Sequence, residues 1–568
     1  MKNRLFSILS LLLCGCFTLN AQEKDLRFDN SKFSEQTLVM YDGTQVKYRA
    51  YEGIFYVTNV EDSAYQTLNI YVPEQSIGKH KGIPVFLRTY VGGYMAAKAA
   101  PPSKDDATGR ALLEGYVVCI PGTRGSNSVV RSKGVSIYTG RAPNALLDLK
   151  AAVRYLKYND EVIEGDANMI ITDGTSAGGA MSSLLGATGN HPAFDKLLDA
   201  MGAAKATDDV FASVCYCPIT DLDHADMTYE WLYSCTNDSV RDLSKELKQI
   251  SEELSAQYPS YINSLKLTAP QDMRFVKKGD LITSANYMDY LKSWLILSFQ
   301  KAKNEGIFLP DNMGIVLNEK KFPMMNAANG GRRNADARGN DSDNDGRNMR
   351  RGRGDFSGER PPMMGGGGDF GGGRPPMGRD NGFEQGGNAN SNPRNNRRNS
   401  KDNPMFMQQN QGEFVIDIDM NKYLNYVAST QQLKNPPAFD SKGVTKNSAA
   451  SAENNVFGDE YGNSANFTQY SIMKAQGNQT RSNDKVAQMV YLYNPMNFIG
   501  NKSATNAPNW YIRHGARDRD TGFQISINLA TKLLNNGKNV DFALPYNRPH
   551  SGDYNLDDLF SWIKTIIK

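Results

Sequence analysis

Ser176 stands at the centre of Gly174-Thr175-Ser176-Ala177-Gly178, between a short apolar run at 169–171 and a run of small residues at 179–185. A serine hydroxyl projected from a sharp turn between strand and helix strains its own backbone, and glycines at 174 and 178 remove the side chains that would collide there. The helix that follows aims its positive end at the same point. The chemistry this arrangement serves is nucleophilic attack, and a hydroxyl needs a base for that at neutral pH. Five histidines are available: His514 and His550 follow Ser176 at a distance, His191 and His224 lie close behind it, and His80 precedes it. His550 stands in Asn547-Arg548-Pro549-His550-Ser551-Gly552, after an apolar run at 540–544 and before an amphipathic stretch. It is the expected base, taking the serine proton during attack and returning it to the leaving alcohol. His514 reads as a packed residue, and no pattern supports His80, His191 or His224.

An imidazole in that role needs a carboxylate to fix its tautomer and stabilise its charged form. The segment from Asn509 to Asp520 reads as a strand ending in a glycine turn that presents Asp518 and Asp520. Asp518 is preferred as the acid, because its distance to His550 leaves room for one helix, near 521–534, and one strand, 540–544. Asp221 and Asp223, after a strand expected at 210–219, satisfy the same order of serine, acid and histidine and stay as competitors. Their plain alternative is turn chemistry, in which short carboxylates cap local N–H groups. Oxyanion stabilisation falls to the N–H of Ala177 and to the turn carrying Gly92 and Gly93, where glycines let the backbone approach a developing charge.

These residues need a scaffold. Runs at 66–72, 83–91 and 116–120 read as strands, and 143–158 reads as a helix with Leu146, Leu149, Val153 and Leu156 at helical spacing. A last helix is expected at 556–567, with Leu556, Leu559, Phe560 and Ile563 on one face. Alternating strands and helices imply a mostly parallel sheet covered on both faces, here the α/β-hydrolase fold. Its core is expected in two parts, 22–217 and 496–568. Between them, 218–495 breaks the alternation and reads as a large lid insertion, with helices at 243–265 and 287–303. Within it, 318–414 contains no Leu, Ile, Val, Trp or Tyr. Such a tract cannot bury enough apolar surface to offset its ordering entropy, so disorder is expected.

Lys2 and Arg4 precede an apolar run that extends to Leu19, and Ala21 offers a small residue for cleavage. Residues 1–21 therefore read as a signal peptide, giving a secreted or periplasmic protein. The alternative takes Leu13-Cys14-Gly15-Cys16 as a lipidation site that tethers the chain to a membrane through Cys16. The four later cysteines, Cys119, Cys215, Cys217 and Cys235, make no disulfide framework at a length of 568 residues. Cys215 and Cys217 read as small hydrophobes sharing one strand face, not as zinc ligands. A formal charge of +3 selects no partner. In the tract, the Arg-Gly clusters are diluted by acids, Asp341-Ser-Asp-Asn-Asp-Gly346 has Gly352 where a calcium loop needs a carboxylate, and Arg353-Gly-Asp355 reads as chance. No nucleic acid, metal or cofactor is expected.

Gly174-Thr-Ser-Ala-Gly-Gly, Val91-Gly-Gly-Tyr-Met95, Cys215-Tyr-Cys-Pro-Ile-Thr220, His224-Ala-Asp-Met227, Arg513-His-Gly515 with Asp518-Arg-Asp520, and Arg548-Pro-His-Ser-Gly552 together resemble the bacterial tannases. The resemblance covers most of the chain outside the low-complexity tract. It implies an α/β-hydrolase with a large lid that cleaves galloyl esters through Ser176, Asp518 and His550. It also implies a set of galloyl-hydroxyl ligands: Asp520, Glu453 in Glu453-Asn-Asn-Val-Phe-Gly458, and Lys434 in Leu433-Lys-Asn-Pro-Pro437. An ion pair with Arg517 or Arg519 is the plain alternative for Asp520, and a solvated surface charge for Lys434. The expected function is a secreted serine esterase acting on galloyl or related hydroxyaromatic esters, with a small-molecule substrate as its partner. A feruloyl-type or general carboxylesterase is the alternative, and a non-catalytic surface protein on a hydrolase scaffold a more distant one.

Overall fold

Short apolar runs become the buried strands of a parallel sheet. In the computed structural model, which describes residues 25–236, 240–319, 413–441, 450–476 and 484–568, nine strands form one sheet. They are β1 (Ser34–Val39), β2 (Gln45–Phe55), β3 (Thr67–Pro73), β4 (Pro84–Arg88), β5 (Val117–Pro121), β8 (Asp166–Thr175), β9 (Ala212–Tyr216), β12 (Asn509–Arg513) and β13 (Asn539–Ala543). The numbering leaves room for two small ladders, β6 (Val129–Ser132) with β7 (Val135–Tyr138), and β10 (Ile315–Glu319) with β11 (Glu413–Ile418). The sheet order is β1-β2-β3-β5-β4-β8-β9-β12-β13. From β5 to β13 all pairs are parallel, and the first three strands join antiparallel.

β4, β5, β9 and β12 are buried at every position, as strands covered on both faces must be. Period-two alternation sends neighbours to opposite layers: Val85 and Leu87 pack with Leu146, Leu149 and Leu184, while Phe86 packs with Leu112, Phe560 and Ile563. The first set comes from the helices Asn144–Tyr158 and Ala177–Thr188, the second from Ala107–Leu113 and Leu556–Ile566. The mostly parallel sheet expected from the sequence is the one found.

Several boundaries differ from expectation, among them the strand expected at 210–219, which spans only Ala212–Tyr216. The strand expected at 83–91 ends at Arg88, because the chain leaves the sheet there to form the loop before Gly92. The helix expected at 243–265 is two, Lys245–Ser255 and Tyr258–Leu265. Pro259 lies in the first turn of the second, where its missing N–H is tolerated, whereas it would interrupt a continuous helix.

Between β9 and β12 the chain leaves the sheet. Its helices, among them Leu222–Tyr233, Tyr287–Asn304 and Met420–Thr430, share a second core built from Tyr258, Ile262, Tyr287, Leu291, Tyr423 and Leu424. That core continues into Phe523 and Ile527 of the helix Phe523–Asn535, which follows β12. β10 and β11 pair from Ile315↔Ile418 to Glu319↔Glu413, so the two ends of the low-complexity tract, with Asn318 and Phe414, stand in an antiparallel ladder. The rest of the tract lies outside the described residues, as do residues 1–21 and Cys16. Among the described residues no helix is long and apolar enough to cross a membrane.

Candidate active site

Ser176 sits between the end of β8 and the helix Ala177–Thr188, with φ 62° and ψ −124°. Its N–H donates to the carbonyl of Tyr216 at 2.9 Å, which locks the turn onto β9. The glycines are required by close approach: a Cβ at Gly174 would collide with the carbonyl of Gly178, and one at Gly178 would lie 2.9 Å from the carbonyl oxygen of Val91. The second contact seats the start of the helix, with Ala177, against the loop that carries Gly92 and Gly93. Gly93 has φ 55°, a turn conformation open to glycine. Tyr94 pins the far side of that loop by donating its hydroxyl to Ile219 O at 2.6 Å.

His550 follows β13 and Asp518 follows β12, and Nδ1 of His550 lies 2.7 Å from Oδ2 of Asp518. Asp518 is fully buried, and its Oδ1 accepts from the N–H groups of Asp520 at 2.8 Å and Thr521 at 3.3 Å. Burial alone would raise this carboxyl, but His550 and His514 beside it hold it low. Burial would conversely lower His550, and the Asp518 carboxylate raises it. Gly552, two residues beyond His550, packs so tightly on the side chain of Thr175 that a Cβ there would collide with its hydroxyl. The histidine loop thus lies against the elbow.

The competing acids are engaged elsewhere. Asp221 takes hydrogen bonds from Asn494 at 2.7 Å and from Tyr261, and its Oδ1 lies 2.9 Å from Nδ1 of His224, whose ring stacks on Tyr261 at 3.8 Å. Asp223 accepts from the same Asn494 at 2.7 Å. This cluster ties two insertion helices to the segment before β12. His514 is packed, as expected, with Nδ1 2.8 Å from Ser526 Oγ and Nε2 3.1 Å from Thr521 O.

Beside Asp518 and His550 lies a cavity with apolar walls that include Ile219, Leu222, Pro436, Pro437, Phe467 and Ile525. Four ionisable side chains also line it: Asp226, Lys434, Glu453 and Asp520. Lys434 Nζ lies 2.6 Å from Glu453 Oε1. The other oxygen, Glu453 Oε2, is buried and has no hydrogen-bond partner among the described residues. Burial disfavours the Lys434 ammonium, but the carboxylates of Glu453 and Asp520 keep its pKa above the ordinary lysine value. Asp520 pairs with Arg519 at 3.1 Å and also lines the cavity. Asp518, Asp520 and His550 bring one polar atom each within 4.8 Å of the others, which joins the cavity to the acid and base. Segments far apart in the chain therefore converge: the loop of His550 packs on Thr175 beside Ser176, His550 bonds Asp518, and Asp520 lines the cavity.

The family model BD-FAE, of the α/β-hydrolases, matches residues 68–267. A tannase structure from Fusobacterium nucleatum is 31% identical with TM-score 0.70, covering 96% of this chain and all of that one (100%). The chain belongs to the tannase family. It is a carboxylic ester hydrolase. Similar coverage, 96% of this chain and 99% of the other, holds for a tannin acyl hydrolase solved with 3,4-dihydroxybenzoate (31% identity, TM-score 0.69) and for one solved with ethyl gallate (30%, TM-score 0.68). No curated protein matches the chain.

Sequence reasoning passed over three residues of this tannase. Cys217 is not the second hydrophobe on a strand face: it lies one residue past β9 with φ 41°, and its Sγ lies 3.0 Å from Tyr554 Oη and accepts from Gly515 N at 3.4 Å. Burial pushes its thiol pKa up, and Asp518 and His550 are its charged neighbours. Its position at the carboxyl end of a central parallel strand was the available signal. Arg88 ends β4 and bonds Asp173 of β8, while its two terminal nitrogens donate to Asp553 at 3.0 and 3.1 Å. One guanidinium thereby holds together the strand leading to Ser176, the strand leading to Gly92, and the loop after His550. The third is Asp226, which entered the sequence reading only within His224-Ala-Asp-Met227, with no role of its own.

Proposed function

We propose that this tannase-family esterase hydrolyses galloyl and related polyhydroxybenzoyl esters through Ser176, His550 and Asp518. Ser176 Oγ attacks the ester carbonyl carbon while Nε2 of His550 takes its proton. Asp518 holds the imidazolium that forms, and the N–H of Ala177 with the Gly92–Gly93 turn receives the negative charge on the carbonyl oxygen. Collapse of the intermediate expels the alcohol, protonated by His550, and leaves the acyl group on the serine. Water activated by the same histidine repeats the attack and frees the carboxylic acid.

The observation that carries the substrate class is the orphaned oxygen of Glu453 in an apolar-walled cavity beside Lys434 and Asp520. A buried carboxylate oxygen without a donor is costly, and an adjacent pair of phenol hydroxyls supplies donors to Glu453 and Asp520 while Lys434 donates to a phenol oxygen. The relatives solved with ethyl gallate and 3,4-dihydroxybenzoate hold rings of this kind. Hydrolysis of methyl gallate compared with methyl benzoate and methyl ferulate tests the reading. Glu453→Gln and Asp520→Asn are each expected to lower kcat/KM for the gallate about ten- to a hundredfold, from about 1.5–3 kcal/mol per charge-assisted bond, and to spare the benzoate. Equal losses on both would make it a general carboxylesterase, and a preference for the ferulate a feruloyl-type one. We also propose export through residues 1–21, which sequencing of the mature N-terminus checks against lipidation of Cys16.

A further inference from the structure

The cavity holds three carboxyl groups and one ammonium. Lys434 is matched to Glu453 at 2.6 Å, and Asp520 to Arg519 at 3.1 Å. Asp226, 3% exposed on the helix Leu222–Tyr233, has no cation of its own among the described residues. Glu230, one turn along that helix, also faces it, but Arg241 neutralises Glu230 with two bonds at 2.7 and 2.5 Å. The charged groups around Asp226 are thus Glu453 on Ala452–Val456, Lys434 before the Pro436–Pro437 wall, Asp520 after β12, and Glu230 with its arginine. A carboxylate left over in such a place is disfavoured twice, by desolvation and by the charge of its neighbours. Oδ2 of Asp226 accepts from the N–H of Ala438 at 3.0 Å, so the proton belongs on Oδ1, the oxygen left for a ligand.

We propose that Asp226 enters catalysis as a neutral carboxylic acid that donates Oδ1–H to a hydroxyl oxygen of the bound ring, so that recognition of polyhydroxylated rings, but not acyl transfer itself, fades as this proton is lost. The inference rests on the substrate class argued above. Burial first, and Glu453 second, push the Asp226 carboxyl up to about 8, so the proton is present at neutral pH and leaves in mild alkali. The pocket then pairs two hydroxyl-accepting carboxylates with two donors, Lys434 and Asp226, a pattern that a ring with several adjacent hydroxyls satisfies and a bare ring does not.

The test is steady-state kinetics on methyl gallate and methyl benzoate from pH 6.5 to 9.5, for wild type, Asp226→Asn and Asp226→Ala. The wild-type KM for methyl gallate is expected to climb above pH 8, approaching about tenfold per pH unit as a single proton is lost, with kcat keeping its own profile and the benzoate KM flat. Asn keeps an acceptor for Ala438 and a donor for the ring but has no proton to lose, so Asp226→Asn shifts KM a few-fold at pH 7 and removes the alkaline climb. Asp226→Ala raises the gallate KM at least tenfold at pH 7; should it fold poorly, Asp226→Asn alone decides. Phenol groups of the substrate also ionise in this range, but their titration would persist in Asp226→Asn. An alkaline climb as steep in that variant as in wild type, or a flat wild-type KM, overturns the inference and leaves the gallate reading standing. No turnover of methyl gallate at any pH overturns both.

Discussion

At Ser176 a residue other than glycine is held at φ 62°, a conformation that costs on the order of 1–3 kcal/mol and persists only where the surroundings enforce it. Alanine can occupy the same turn, so Ser176→Ala is expected to keep the melting temperature within a few degrees while hydrolysis falls by at least about a thousandfold; full retained activity would remove the serine from the mechanism. The acid is decided the same way. Asp518→Asn is expected to lower kcat by about ten-thousandfold with little change in KM, since it disturbs the tautomer of His550 and not the ring slot. Asp221→Asn is expected to leave kcat within a few-fold but to cost about 1–3 kcal/mol in thermal or denaturant unfolding, because it breaks a buried cluster with His224, Tyr261 and Asn494. The base must be neutral to act, so kcat/KM is expected to rise with pH through the His550 titration. The Asp518 carboxylate places that rise above the ordinary imidazole value of about 6.5, and in Asp518→Asn the midpoint should move down. Ser176 and His550 were legible because glycines and turns mark them locally, and Asp518 because the spacing to His550 fits one helix and one strand. Cys217 and Asp226 were not, since what makes them matter is Tyr554 and Glu453, partners that no local string announces.

Elements were legible where burial writes a continuous apolar run, as in β4, β5, β9 and β12. β2 escaped notice because its partly exposed sequence, Gln-Val-Lys-Tyr-Arg-Ala-Tyr-Glu-Gly-Ile-Phe, carries charges between its buried positions. Val91 misled in the other direction: it is buried, yet in a loop, because the turn at Gly92 packs on the elbow instead of continuing the strand. What fixes these element ends relative to one another is Arg88. Its fork bonds Asp173 and Asp553 together, and a lysine cannot reproduce two parallel N–H donations. Arg88→Lys is expected to lower kcat about tenfold or more with KM for methyl gallate little changed, as the nucleophile and base lose alignment while the ring slot is untouched. Arg88→Met leaves two buried carboxylates without a cation and is expected to destabilise by about 3–5 kcal/mol, read from denaturant unfolding. A rise in KM alone would show that Arg88 shapes the substrate slot and not the catalytic alignment.

Over the whole molecule, the mostly parallel α/β sheet was readable from the rhythm of strands and helices. That the insertion core runs on into Phe523 and Ile527 was not, because tyrosines such as Tyr258, Tyr287 and Tyr423 look amphipathic in sequence and show their burial only in three dimensions. Excision of residues 326–403, rejoined through a short flexible linker, is expected to leave the melting temperature and methyl gallate turnover nearly unchanged, since that tract has no Leu, Ile or Val to add to either core. The ladder of β10 and β11 gives this expectation a further meaning. Glu319 faces Glu413 across it, so the described residues on either side of the tract end next to each other. Joining two ends already held side by side grows dearer by only about 0.6 kcal/mol for each doubling of the span between them. Length there is therefore almost free to drift, and the ladder acts as a port: a foreign domain with adjacent termini, spliced in at this position, would ride on the esterase without passing strain to its sheet.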